Sequence, residues 1–140
     1  MDITPYRRRA YYYETDKMGI VHHSNYVRIL EESRVDLMTK AGLPFIEVEQ
    51  MGLMIPVLEV SLQYKFPLRF DDEFEVVPTL TDFNGCKFTV RYEINNLTTG
   101  KLALTAQTKH CFTDDKLMPV RLKKKFPEVY EKFSQYVEEE

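Results

Sequence analysis

The chain has 140 residues, 44% of them hydrophobic and 29% charged, with a formal net charge of −3 and a pI near 5.7. That length suits one domain, residues 1–140, with its own core, and the composition is that of a folded globular protein rather than a disordered one. The mildly acidic balance gives no basis for general nucleic-acid binding, and no window approaches the roughly 18 consecutive apolar residues that would suggest a membrane span.

The N-terminal MDITPYRRR lacks the apolar run of a secretion signal, so a cytoplasmic protein is expected. Cys86 and Cys111 fall in no metal-ligand spacing and read as reduced thiols, with no metal site implied.

In chain order, residues 6–13 (YRRRAYYY) combine β-favouring tyrosines with arginines and predict a strand whose arginines are either solvated or face an anion, a charged edge of Arg7, Arg8 and Arg9 being the preferred reading. From about Asn25 to Ala41 the apolar positions Tyr26, Val27, Ile29, Leu30, Leu37, Met38 and Ala41 share one broad arc at helical period. Ser24 or Asn25 can cap the start of this helix, and Gly42 with Pro44 ends it. Asp36 and Lys40 pair at i,i+4 on the wet side. Arg34 falls inside the apolar arc, where it either pairs with Glu31 or extends its head outward over apolar neighbours.

A loop leads to Pro56–Pro67, where Leu58, Val60, Leu62, Tyr64 and Phe66 alternate with polar residues, predicting a strand with one apolar face. Residues 73–81 repeat that pattern, with Pro78 calling for an edge or a bulge. Phe88, Val90, Tyr92 and Ile94 alternate cleanly, and Asn95–Gly100 forms a hairpin loop into a last strand over about 101–113. The order of strand, long helix and four consecutive strands predicts an α+β domain, an antiparallel β-sheet wrapped around one long central helix. Residues 120–140 read as a C-terminal extension, partly helical over 127–137.

The candidate site lies in Tyr12–Arg34, YYETDKMGIVHHSNYVRILEESR. A strand-like aromatic run reaches Asp16, turns at Gly19, passes His22 and His23 and becomes the long helix. The start of a helix supplies free backbone N–H groups and the positive end of its dipole, which suit a developing oxyanion.

This run resembles the signature of the hotdog-fold acyl-CoA thioesterases of the 4-hydroxybenzoyl-CoA thioesterase type, in which a tyrosine-rich strand precedes (T/D)-D-x-x-G-x-V-x-H-x-x-Y and a helix bearing E-x-x-R. The matching positions are Asp16, Gly19, Val21, His23, Asn25, Tyr26, Glu31 and Arg34. The resemblance implies hydrolysis of an acyl thioester, with Asp16 attacking the thioester or activating water and with the backbone N–H groups of Val21, His22 and His23 polarising its carbonyl. His23 would hold water, orient Asp16, protonate the leaving thiolate, or simply cap the helix.

Tyr13, Gly19 and Tyr26 would line the substrate, and Lys65 and Arg69 would meet the phosphates of coenzyme A, which enters as part of the substrate rather than as a cofactor. The triple lysine Lys123–Lys125 is a further cluster for those phosphates or a solvated basic run. Related thioesterases that carry the carboxylate on the helix nominate Glu31 or Glu32 instead, and His110 reads as structural. The resemblance also implies a homodimer or homotetramer whose sheets join, and it admits acyl carrier protein in place of coenzyme A. The competing readings are an acyl-thioester hydratase or dehydratase and a non-catalytic acyl-binding protein.

Overall fold

In the computed structural model, which describes residues 2–138, the backbone forms a five-stranded antiparallel sheet with one long helix across it. The strands are β1 (Tyr6–Arg9), β2 (Val57–Tyr64), β3 (Glu73–Thr81), β4 (Lys87–Asn96) and β5 (Lys101–Cys111). Their order in the sheet is β1-β3-β4-β5-β2. The helices are α1 (His23–Lys40), α2 (Phe45–Gln50), α3 (Leu122–Lys125) and α4 (Pro127–Ser134). This is the hotdog arrangement expected from the order of elements.

The core forms where the alternation is strictest. Phe88, Val90, Tyr92 and Ile94 of β4 are buried, as are Phe74, Val76 and Leu80 of β3, and they face Tyr26, Ile29, Leu30, Leu37 and Met38 of α1. Gly42 adopts φ +77° just after α1, where the Leu43 N–H bonds the Met38 carbonyl at 2.8 Å. Only a residue without Cβ takes that conformation cheaply, so the helix stops there. Asp36 and Lys40 meet at 2.6 Å on the outer side of α1, as their spacing predicts.

Pro78 sits within β3 opposite Tyr92 of β4. Strand β1 covers β3 only from Glu73 to Val76, so the far side of β3 is an edge at Pro78, and its missing N–H costs no ladder bond there.

Several expectations need correcting. The first strand stops at Arg9, and Tyr12–Glu14 forms a 3₁₀ turn in place of a strand to residue 13. The turn forms because the Glu14 carboxylate accepts the Tyr11 N–H at 2.8 Å, a local bond that competes with strand pairing. Residues 45–50 are helical rather than loop. The tail, by contrast, is helical over Pro127–Ser134 as its sequence suggests, and Leu122, Val129 and Phe133 are buried in the core.

Arg8 is the largest departure. Instead of lying on a charged edge, its side chain is only 9% exposed and Glu14 only 7%. The guanidinium donates to both Glu14 oxygens at 2.8 Å and to Glu32 Oε1 at 2.7 Å, and it lies over the Tyr11 ring at 4.4 Å. The Tyr6 hydroxyl also donates to Glu32, at 2.8 Å. Burial pushes the Tyr6 hydroxyl up, reinforced by the Glu32 carboxylate, to a pKa of about 12. Burial also pushes the Glu14 carboxyl up, but the Arg8 hydrogen bonds and charge with the Tyr11 N–H outweigh it and hold that carboxyl below its ordinary value.

Arg34 does not pair with Glu31 among the described residues. Its Nη1 donates to the Tyr92 hydroxyl at 3.2 Å and opens a buried relay. Tyr92 Oη and Thr108 Oγ1 are 2.6 Å apart, and Thr108 Oγ1 and His110 Nε2 2.7 Å. Burial together with the Arg34 charge lowers the His110 pKa to about 4, so the imidazole of this relay is neutral at pH 7.

Candidate active site

Residues 15–21 form a small hairpin at the N-terminal end of α1, with bridges from Thr15 to Val21 and from Ile20 to Arg69. The Gly19 N–H closes the turn on the Asp16 carbonyl at 3.0 Å, and the Asp16 N–H bonds the Ile20 carbonyl at 3.0 Å. Asp16 Oδ1 accepts the Met18 N–H at 2.8 Å, which fixes the carboxylate over its own turn. Its other oxygen has no hydrogen-bond donor among the described residues.

Gly19 adopts φ +77°, and a Cβ there would lie 3.7 Å from the Arg69 guanidinium. The glycine is therefore needed for the left-handed backbone, since a Cβ would make only an ordinary contact with Arg69. This places Arg69 next to Asp16's loop. Lys65, just beyond β2, is exposed with its backbone N–H bonded to Ala103.

The start of α1 is set by His22 rather than by Ser24 or Asn25. His22 Nδ1 accepts the Ser24 N–H at 3.2 Å and meets the Ser24 hydroxyl at 2.8 Å. Its ring lies 4.1 Å from that of His23, tilted by 35°. Of the three backbone N–H groups expected to polarise a carbonyl, two are already engaged. Val21 donates to Leu68 at 2.8 Å and His22 to Glu14 at 2.8 Å. The His23 N–H, in the first turn of α1, has no acceptor among the described residues and faces the end of the helix where donors are unsatisfied. Nothing acidic stands in that first turn to occupy it.

Surrounding bonds hold this arrangement. Asn25 Nδ2 donates to the Glu14 carbonyl at 2.8 Å, and Tyr64 of β2 donates to the His23 carbonyl at 3.3 Å. Tyr26 is buried, and its hydroxyl accepts the Leu68 N–H at 3.2 Å, so it braces the 68–69 segment against α1 rather than opening onto solvent. Tyr13 is 73% exposed and packs edge-on against Tyr11 at 5.3 Å, while Tyr12 and Phe70 pair at 5.4 Å. Glu32 is committed to Arg8 and Tyr6, and Glu31 is exposed.

Sequence reasoning missed Glu14 and Tyr64. The only sequence signal for Glu14 is its i+3 spacing from Tyr11, whose N–H its carboxylate accepts in a one-sided cap. Tyr64 carries no such signal, because its partner lies 41 positions away.

Chemically, the arrangement offers a carboxylate with a free oxygen, an open backbone N–H at a helix start and a nearby guanidinium. The sequence profile of the thioesterase-like superfamily matches residues 12–133, which span the whole of this arrangement. A Bacillus subtilis protein, YneP, provisionally named an acyl-CoA thioesterase, is 34% identical over 125 residues, covering 86% of this chain and 90% of that one. An Aquifex aeolicus protein provisionally named an esterase is 42% identical over 108 residues, covering 76% and 81%. The crystal structure of a DHNA-CoA thioesterase from Staphylococcus aureus superposes with a TM-score of 0.89 at 29% identity, over 96% of this chain and 91% of that one. The chain belongs to the thioesterase-like superfamily and is a hotdog-fold thioester hydrolase.

Proposed function

We propose that the protein hydrolyses acyl-CoA thioesters, with Asp16 as the reacting carboxylate and the His23 backbone N–H as the oxyanion donor. The observation that carries this reading is the free Asp16 oxygen on a turn that leads directly to the open N–H of His23. The thioester carbonyl accepts the His23 N–H, and negative charge gathering on that oxygen is stabilised by the N–H and the helix dipole.

In one route Asp16 adds to the carbonyl carbon, the C–S bond breaks to release coenzyme A thiolate, and water then cleaves the mixed anhydride to restore the carboxylate. In the other, Asp16 removes a proton from water as the water adds, and that proton leaves with the thiol. Both demand a carboxylate at residue 16, and thiolate departs without obligatory acid help. The His23 ring, exposed beside His22, holds or orients the attacking water.

Arg69, beside the turn, and Lys65 meet the phosphates of coenzyme A as charge partners. The exposed rings of Tyr12, Tyr13 and Phe70 line the approach to the turn. The likeness to a DHNA-CoA thioesterase supports including aromatic acyl groups among the substrates. A cytoplasmic location is part of the same proposal.

Strand β2 supports the homodimer. Among the described residues it pairs only with β5, and Val57, Leu58, Val60 and Tyr64 are exposed along it, so two copies joined at this edge continue the sheet and cover apolar side chains. The test is thiol release from aliphatic and aromatic acyl-CoA esters, matched acyl carrier protein esters and an enoyl-CoA. Free thiol from acyl-CoA supports the reading. Hydration of the enoyl ester without thiol release, or no turnover of any ester, overturns it.

A further inference from the structure

Glu14 uses every polar group it has. Its N–H donates to the Tyr11 carbonyl at 3.0 Å, and its carboxylate accepts the Tyr11 N–H and two Arg8 N–H groups, each at 2.8 Å. Its carbonyl accepts two further donors, the His22 N–H and Asn25 Nδ2, both at 2.8 Å. A carbonyl oxygen has two lone pairs, so neither is left over. The result is a buried, charge-anchored node two positions before Asp16.

Two arms leave this node. One runs through Thr15 to the Asp16 turn, and the other begins at His22 and enters the first turn of α1, where the His23 N–H stays open. The Asn25 bond is the one direct side-chain hydrogen bond among the described residues that joins residues 14–16 to α1. Arg8 adds an indirect tie, since its guanidinium holds Glu14 and Glu32 of α1 together. The carboxylate and the oxyanion donor thus hang from a single anchor, and any slip of the helix start against it changes their separation. In a reaction that depends on such alignment, a misplacement of about 1 Å costs about a hundredfold in rate.

We infer that Asn25 and the Arg8–Glu14 pair are positioning residues of the reaction, holding the Asp16 carboxylate and the His23 N–H at a fixed separation through the Glu14 carbonyl. This rests on the reading of Asp16 and His23 as the reacting pair, and Asn25, Arg8 and Glu14 act through those two groups.

The test is steady-state thiol release from benzoyl-CoA and octanoyl-CoA, with unfolding measured alongside, by Asn25→Ala, Asn25→Gln, the double variant Arg8→Met with Glu14→Gln, and Asp16→Asn. Asn25→Ala should lower kcat about tenfold or more while KM stays within about twofold, because alignment is lost and binding is not. Asn25→Gln keeps an amide N–H on a longer arm and should recover part of that kcat. The double variant buries no unpaired charge and should fold, yet it lacks the two-point hold on Glu14, so kcat should stay low when stability returns. With Asp16→Asn inactive, three results would each overturn the inference: an unchanged kcat in Asn25→Ala, a change confined to KM, or a double variant that regains kcat together with stability. Full activity in Asp16→Asn would instead overturn the reading of the reacting pair, and the inference with it.

Discussion

Replacing Arg8 with alanine should be among the most damaging single changes in the protein, although the residue lies outside the reaction site. Arg8 contacts two carboxylates at once, and unlike the exposed Arg9 it does so from a buried position, the Arg8 and Glu14 side chains being 9% and 7% exposed. Removing one partner of a buried ion pair leaves a desolvated charge behind and costs about 3–5 kcal/mol. Against a typical total stability of about 5–15 kcal/mol, that loss is readily measured by urea unfolding followed by far-ultraviolet circular dichroism.

The pH dependence gives a sharper signature. In the unaltered protein the Glu14 carboxyl sits below its ordinary value, so its contribution is present above the unfolded value of 4.5 and is lost as pH falls through the folded value. Without Arg8, burial, the largest influence on this carboxyl, is opposed only by the Tyr11 N–H and raises the carboxyl above 4.5. The Glu14 contribution then reverses sign. The stability gap between the variant and the unaltered protein should therefore narrow between pH 7.5 and pH 5, other titrations being common to both, and Arg8→Met with Glu14→Gln should recover much of the loss. A loss below about 1 kcal/mol, or a gap that does not narrow as pH falls, would refute the buried-pair reasoning.

Three further outcomes follow from the same structure. His110 has a folded pKa of about 4 against 6.5 unfolded, so its contribution is complete above 6.5 and is lost as pH falls toward 4. At about 1.4 kcal/mol per pKa unit this amounts to about 3 kcal/mol, and urea unfolding at pH 7 and pH 4 should show that difference shrinking in His110→Asn. Gly19→Ala places a Cβ at φ +77° and should cost about 1–2 kcal/mol in stability and also lower kcat, read from unfolding and steady-state thiol release. Tyr26→Phe leaves the buried Leu68 N–H without its acceptor and should cost about 1–3 kcal/mol, with activity falling as the 68–69 segment loosens, checked by the same two assays.

Much of the fold could be read from periodicity, because the elements that form the core are those with the clearest patterns. The alternation of Phe88, Val90, Tyr92 and Ile94 reports a strand with one buried face, and the arc of α1 reports the surface it presents to the sheet. Strand β2 shows the limit of such patterns. Its alternation is equally strict, yet Leu58, Val60 and Tyr64 are exposed, because a pattern shows that a face needs covering without saying what covers it.

Arg8 was illegible for a related reason. A run of three arginines looks the same whether or not one of them meets carboxylates 6 and 24 positions away. The helix α2 is only six residues long, too short for its period to stand out. Within the site, Asp16, Gly19 and His23 could be picked out because their spacing is local. Which backbone N–H remains open could not, since Val21 is occupied by Leu68 from a distant segment and His22 by Glu14 across the hairpin.

The central claim rests on the Asp16 carboxylate, and Asp16→Asn isolates it. Asparagine keeps the side-chain oxygen that accepts the Met18 N–H, so the turn and the fold should survive, as circular dichroism and unfolding would show. The decisive measurement is kcat for thiol release from the best acyl-CoA substrate by this variant. A fall of about a hundredfold or more in kcat, with stability unchanged, is the predicted result. Hydrolysis at the unaltered rate by a folded Asp16→Asn protein would contradict the assignment of this carboxylate as the reacting group.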